Sequence, residues 1–232
     1  MKKIGLTGGI GSGKSTASAY LREKGIKIID ADELSRQMTA KDGPALPAIR
    51  EAFGDEFFSS KGELDRKALG AVVFADAGQR QKLEQIVTKA VIERSKELLA
   101  EAEAEAKSGC RAEAGGCKAA QENYSCGSEK SRGDGASGDQ NYGDLVILDA
   151  PLLFECGLQD YMDENWLVAA DEDLVVARVM ERDGLSEELA RDRINSQMPL
   201  EEKKKIADKV IANDAGLEEL YAQIDSLLDE KN

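Results

Sequence analysis

The stretch Gly8-Gly9-Ile10-Gly11-Ser12-Gly13-Lys14-Ser15, followed by Thr16, decides the fold of this chain. It fits the pattern of a glycine, four residues, and then Gly-Lys-Ser, which is the phosphate-binding P-loop. The glycines allow backbone conformations that a Cβ would forbid, so that successive N–H groups can point inward as a nest for phosphate oxygens. We expect Lys14 to reach the β- and γ-phosphates and the Ser15 hydroxyl to ligate Mg²⁺.

The neighbours of this stretch fit the same interpretation. Residues 3–7 are typical of a short buried strand, and residues 14–24 of a helix that ends at Gly25. A helix N-terminus adds partial positive charge to an anion site. The alternative is an ordinary glycine-rich turn between a strand and a helix. Because the lysine, the hydroxyl and both flanking elements are all present, the sequence favours a nucleoside triphosphate site.

Composition restricts the function classes further. The 45 acidic residues outnumber the 31 basic ones, giving a net charge of −14, which argues against binding to nucleic acid. No run of about 18 apolar residues occurs, so no membrane span is predicted. The first strand leaves no room for a signal peptide, which predicts a cytoplasmic protein whose cysteines are thiols. There is no histidine, which excludes histidine-based acid–base chemistry and histidine metal sites.

Alternating strands and helices predict an α/β fold: a doubly wound, parallel, five-stranded sheet with right-handed crossovers. We interpret the chain, 1–232, as one domain. Its nucleotide-binding core comprises 1–32, 144–172 and 206–232. Residues 33–107 are mostly helical and form a substrate-binding excursion, and the basic helices of 173–205 form a lid region.

Residues 108–143 are predicted to be a flexible insertion. No Leu, Ile, Val, Met, Phe or Trp occurs between Leu99 and Leu145. Such a segment cannot bury enough apolar surface to offset the entropy of ordering it. Cys110, Cys117 and Cys126 lie within it and could form a small metal or redox site, but three thiols without a CxxC spacing underfill a tetrahedral site, which favours an incidental loop.

Carboxylates follow two further strands. Asp30 and Asp32 follow the second strand, and Asp149 ends the apolar strand of 145–148. In a parallel sheet the ligand binds beyond the carboxyl ends of the strands, so these side chains share an edge with the P-loop. An apolar strand ending in aspartate is the Walker-B arrangement, in which Asp149 supports Mg²⁺. Asp32 could be the general base that accepts a hydroxyl proton, or it could only cap the next helix.

The basic helices contribute candidate lid residues. Arg178 and Arg182 lie one turn apart, and an arginine brought over the phosphates would neutralise charge on the transferring group. We favour Arg182 over Arg178 in this role, and the alternative is a solvated charged face. A P-loop alone leaves kinases, GTPases and ATP-driven machines open. No Asn-Lys-x-Asp motif for guanine is present, and the acidic charge disfavours an ATPase acting on nucleic acid.

Four segments added to the P-loop carry a family resemblance: residues 29–32 (Ile-Asp-Ala-Asp), 149–155 (Asp-Ala-Pro-Leu-Leu-Phe-Glu), 178–183 (Arg-Val-Met-Glu-Arg-Asp) and 197–199 (Gln-Met-Pro). With residues 62–66 and 211–214, they make the sequence resemble the dephospho-coenzyme A kinases over nearly the whole chain except about 101–143. The resemblance implies a nucleoside monophosphate kinase-like core, with ATP on Gly11 to Thr16. It also implies Asp32 as general base, Arg182 in the lid and the Asn213-Asp214 segment near the adenine.

Two departures from the family pattern are visible. Thr88 and Lys89 stand where the family usually has a His-Pro pair, and the cysteine-containing insertion has no counterpart in it. The resemblance implies an enzyme that uses ATP and Mg²⁺ to phosphorylate the ribose 3′-hydroxyl of dephospho-coenzyme A. We expect a monomer or weak homo-oligomer. The alternatives to this function are another small-molecule kinase with the same core and a nucleotide-dependent switch that turns over slowly.

Overall fold

A computed structural model of the chain describes residues 1–107, 142 and 144–230. In these ranges the strands form one parallel sheet with the order β2-β3-β1-β4-β5. Their bounds are β1 Lys2–Gly8, β2 Lys27–Asp30, β3 Leu145–Asp149, β4 Glu164–Ala169 and β5 Lys209–Ala212. The predicted α/β fold with five parallel strands is confirmed. The central strand is β1, so the P-loop leaves the sheet from its middle.

The helices occur where the sequence predicts them, with small shifts at their ends. They are α1 Lys14–Glu23, α2 Ala31–Met38, α3 Leu46–Phe53, α4 Arg66–Ala75, α5 Ala77–Lys107, α6 Glu172–Asp183, α7 Glu187–Asn195, α8 Leu200–Ile206 and α9 Leu217–Asp229. Several begin at aspartate or serine because these side chains accept the unpaired N–H groups of a first turn. Asp171, for example, accepts from the N–H of Asp173 at the start of α6.

Both faces of the sheet are covered. On one face Ile4, Leu6, Trp166 and other sheet residues pack against α1 and α9. On the other, Val146 and Leu148 pack against α2, α3 and α5. Neighbouring residues of a strand point to opposite faces, so a strand buried on both sides is apolar throughout. Every residue of β3 is buried, as its unbroken apolar sequence predicts.

Between β2 and β3 the chain forms the helices α2 to α5. The longest, α5, packs against α2, α3 and α4. An isolated antiparallel bridge between Phe58 and Leu64 interrupts the helices, a feature that the sequence analysis did not predict. Tyr142, which the sequence analysis placed in the insertion, is buried against the α1–α9 face of the sheet. The other insertion residues and their cysteines, Cys110, Cys117 and Cys126, lie outside the described residues.

Candidate active site

The P-loop connects the end of β1 to the start of α1. Gly11 and Gly13 have φ angles of 77° and 91°, in the left-handed region that favours glycine. Gly13 is the N-cap of α1 and has no side chain to satisfy the first turn. Among the described residues, no acceptor takes a hydrogen bond from the N–H groups of Gly11, Gly13, Lys14 and Ser15. These free amides at a helix N-terminus fit the phosphates of a nucleotide.

Lys14 and Asp149 meet directly. Asp149 ends β3 and lies opposite Leu6 of β1 in the sheet register. The Lys14 Nζ donates to Asp149 Oδ1, and the two side chains are 13% and 5% exposed. The register of two neighbouring strands therefore brings together the residues predicted for the phosphates and for the metal. The Asp149 carboxylate also balances the positive charge of the Lys14 ammonium.

Asp30, not Asp32, caps α2, so the cap interpretation of Asp32 is wrong. Asp30 is the last residue of β2, and its Oδ1 accepts from the N–H groups of Asp32 and Glu33 at 3.0 and 3.1 Å. Its extended backbone directs the carboxylate at the first turn, which leaves Asp32 inside the helix. Asp32 is exposed, and its carboxylate has no hydrogen bond or ion pair with the part of the chain that the structure describes.

Asp32 also lies close to the edge of the sheet that carries the P-loop. Asp30 is paired with Asp149 in the β2–β3 register, and Asp32 follows two residues later. The carboxyl ends of β1, β2 and β3 therefore present Lys14, Asp149 and Asp32 along one edge. This is the edge at which α/β sheets bind their ligands. An exposed carboxylate here, which pairs with no cation in the described ranges, can accept a proton from a bound alcohol.

The two candidate lid arginines have different environments. Arg182 donates to both carboxylate oxygens of Asp183, at 2.8 and 2.9 Å, and Arg193 donates to the same carboxylate. The hydrogen bonds from Arg182 lower the pKa of Asp183 below its usual value. The structure instead brings Arg178 to the P-loop, where its guanidinium donates to the carbonyl oxygen of Gly11 at 3.4 Å. The sequence favours Arg182 for the lid role, which stays a prediction, and it did not predict the contact of Arg178 with the P-loop backbone.

Other contacts with the P-loop were missed because they come from distant segments. The side-chain amide of Asn213 donates to the Ser12 carbonyl at 2.8 Å, and the Gln197 Oε1 accepts from the Ile10 N–H at 3.0 Å. Asn213 follows β5, and Gln197 lies between α7 and α8. Both belong to segments that carried the resemblance. Motif matching therefore located the two residues, but it did not predict their contacts with P-loop residues that lie 187 and 201 positions away.

A cavity of about 610 Å³ lies beside the P-loop. Gly9, Ile10 and Ser12 line it, with residues at the ends of β4 and β5 and on α6 and α8. The buried Lys203 of α8 also lines it and forms an ion pair with Glu155 at 2.9 Å. Thr88 and Lys89 line a separate, open groove along α5. No described helix has the length and apolar composition needed to cross a membrane.

Comparisons with known proteins agree with this geometry. The family model "Dephospho-CoA kinase" matches residues 2–109 and 136–219. A dephospho-CoA kinase from Geobacillus kaustophilus is 40% identical over 225 residues, covering 97% of this chain and 94% of the relative. A dephospho-CoA kinase from Lactococcus lactis subsp. lactis is 36% identical over 225 residues, covering 95% and 94%.

Two solved structures share the fold over their full lengths. The structure of TT1252 from Thermus thermophilus has a TM-score of 0.65 and 32% identity, covering 100% of this chain and 98% of that one. A dephospho-CoA kinase from Campylobacter jejuni has a TM-score of 0.60 and 22% identity, covering 99% and 98%, and at this identity it supports the fold alone. The family match includes the P-loop, Asp32, Asp149 and Asn213, which are the residues assembled at the sheet edge. This chain therefore belongs to the dephospho-CoA kinase family.

Proposed function

We propose that the protein transfers the γ-phosphoryl group of ATP to the ribose 3′-hydroxyl of dephospho-coenzyme A, giving coenzyme A and ADP. This is the last step of coenzyme A synthesis. The observation that carries the proposal is a family match through nearly the whole chain, joined to a P-loop with free amides. Phosphoryl transfer asks the protein mainly for positioning and charge stabilisation, which this sheet edge offers.

The phosphates of ATP would be held by the amides of Gly11 to Thr16 and by the ammonium of Lys14. Ser12 and Thr16 contribute less, because their N–H groups already donate to the Gly9 and Gly13 carbonyls at 3.1 and 3.0 Å. The Ser15 hydroxyl and the Asp149 carboxylate are oxygen ligands of the kind that Mg²⁺ prefers. Mg²⁺, when bound there, would neutralise phosphate charge. Asp149 would then exchange its contact with Lys14 for a role at the metal.

Asp32 would act as the general base. Its carboxylate is exposed and has no partner among the described residues, and the backbone places it after β2 near the end of β3. A carboxylate there can accept the proton of the 3′-hydroxyl and orient the oxygen for attack. Since Asp30 already satisfies the first turn of α2, the helix does not need Asp32 as its cap.

We assign the remaining parts of the chain to substrate and lid roles. Residues 33–107 would hold dephospho-coenzyme A, residues 173–205 would form the lid, and the nucleotide-binding core would be 1–32, 144–172 and 206–232. Arg182 would reach the phosphates only after leaving Asp183, so lid closure would replace its ion pair with the Asp183 carboxylate by a contact with phosphate. The insertion, 108–143, has no role in this scheme. We expect the protein to be cytoplasmic. We also expect a monomer or weak homo-oligomer, and sedimentation of the purified chain would test this oligomeric state.

Release of ADP against a panel of acceptors tests the activity. The panel holds dephospho-coenzyme A, nucleoside monophosphates and no acceptor, each with ATP and Mg²⁺. We expect a strong response to dephospho-coenzyme A alone, with coenzyme A detected by mass spectrometry. A response to a nucleoside monophosphate alone would instead indicate a different small-molecule kinase. A rate that does not depend on any acceptor would indicate a nucleotide switch.

The Asp32→Asn variant tests the general base. Because an amide cannot accept the hydroxyl proton, we expect kcat to fall by at least ~10²-fold with the fold intact. Asp30→Asn is the matched control: the same chemical change two residues earlier keeps a good N-cap, so we expect less than a ~10-fold loss. Equal losses in the two variants would contradict the base assignment, as would a near-normal rate for Asp32→Asn.

A further inference from the structure

Side chains from three separate elements hold the outer side of the P-loop. We propose that Asn213 and Gln197 are positioning residues that fix its backbone in the phosphate-binding shape, and that Arg178 ties Asn213 to the loop at Gly11. This inference rests on the proposed function for its biological meaning. Its deciding test measures nucleotide binding, so it can be decided whichever acceptor the enzyme uses.

Asn213 is the central residue of this arrangement. It is 6% exposed, and its Nδ2 donates to the Ser12 carbonyl at 2.8 Å. Its own N–H donates to the Ala169 carbonyl at 2.8 Å, which anchors it to the end of β4. A Cβ added at Gly13 would lie 2.0 Å from the Asn213 Nδ2. The amide therefore rests directly on the Gly13 backbone and holds the Ser12 carbonyl away from the phosphate side.

Gln197 and Arg178 restrain the neighbouring peptides. The Gln197 Oε1 accepts the Ile10 N–H at 3.0 Å and so removes that donor from the amides left for phosphate. One nitrogen of the Arg178 guanidinium donates to the Gly11 carbonyl at 3.4 Å, and the other donates to the Asn213 carbonyl at 3.1 Å. Three peptides of the P-loop are thus bonded by these side chains, while the N–H groups of Gly11, Gly13, Lys14 and Ser15 have no acceptor within the described residues and remain available for phosphate.

Fixing these peptides in advance strengthens nucleotide binding. A glycine-rich loop has many conformations, and a loop that orders only on binding loses affinity by the cost of that ordering. Amides that already point at the phosphates need no reorganisation when the ligand arrives. The predicted signature is weaker nucleotide binding with little change in KM for the acceptor. A general loss of folding would not weaken nucleotide binding while leaving the KM for the acceptor unchanged.

The opposite polarity of the two contacts allows a sharp test. Asn213 donates to a carbonyl, so Asn213→Asp removes the donor and places a carboxylate against an oxygen. Gln197 accepts from an N–H, so Gln197→Glu keeps an acceptor, whereas the similarly shaped Gln197→Met removes it. We expect the Kd for ADP, measured by calorimetry, to rise about tenfold or more in Asn213→Asp and in Gln197→Met. We expect a rise of less than about threefold in Gln197→Glu.

Asn195→Asp is the charge-matched control. It adds the same negative charge at an exposed position that lines the cavity beside the P-loop and makes no P-loop hydrogen bond in the described structure. Asn213→Ala removes the same donor without adding charge, and melting curves of all variants report folding. Equal losses in Asn213→Asp, Gln197→Glu and Asn195→Asp would show that charge alone is acting and would overturn the proposal. Unchanged ADP affinity in folded Asn213→Ala would also overturn it.

Discussion

Glu155→Ala is expected to destabilise the protein far more than Lys203→Met, although each substitution breaks the same ion pair. The Lys203 side chain is 1% exposed, and the Glu155 side chain is 23% exposed. The Lys203 Nζ lies 2.9 Å from the Glu155 carboxylate and donates to the Pro151 carbonyl at 3.3 Å. Glu155 also accepts the N–H of Met198 and can reach water. The Lys203 ammonium therefore depends on Glu155 for its stabilisation more than the Glu155 carboxylate depends on Lys203.

The difference in burial sets the magnitudes. Glu155→Ala leaves a buried ammonium with one carbonyl, and losing one partner of a buried pair costs roughly 3–5 kcal/mol. At about 2–4 °C per kcal/mol for a chain of this size, Tm falls by about 6 °C or more. Lys203→Met keeps an apolar chain in the same space and leaves a carboxylate that water can solvate. We expect that variant to lose about 1 kcal/mol.

Thermal and urea unfolding at neutral pH, without nucleotide, would measure both variants and the double variant. Because the uncompensated ammonium causes most of the loss, adding Lys203→Met to Glu155→Ala should restore stability. The reasoning is refuted if Lys203→Met costs as much as Glu155→Ala. It is also refuted if the double variant is no more stable than Glu155→Ala alone.

Further predictions concern the P-loop and Cys156. Gly13→Ala should raise the Kd for ADP and lower Tm, because a Cβ would meet the Asn213 amide at a left-handed φ. Lys14→Met should cut kcat/KM at least ~10²-fold in the kinase assay and lower Tm, since Asp149 would remain buried without its cation. Burial, with Glu155 nearby, raises the pKa of the Cys156 thiol, so less thiolate is present at pH 8. With the insertion cysteines changed to serine, alkylation should titrate above the midpoint of free cysteine, and a lower midpoint would contradict this.

Local sequence was sufficient for the secondary structure and for the class of fold. Strands with apolar runs, such as β3, and helices with clear caps, such as α6 and α7, are specified by neighbours within a few residues. The Phe58–Leu64 bridge was missed because it is a single pairing between short segments without a strand pattern. The sequence left open whether Asp32 is a general base or the cap of α2, since an aspartate can bond a first turn, and it did not identify Asp30 as the cap. The backbone angle of Asp30 decided which residue caps the helix.

The sequence alone determined the phosphate-binding loop, the alternating strands and helices that predict a parallel sheet, and the carboxylates that follow the strands, because each depends on residues close together in the chain. The tertiary structure decided which distant groups meet these features. Lys14 meets Asp149 through the β1–β3 register, and Arg178, not Arg182, contacts the P-loop. Asn213 and Gln197 reach the loop because β5 and the segment before α8 return to the same edge. Such contacts depend on how the chain packs on itself, which the pattern of a single segment does not encode.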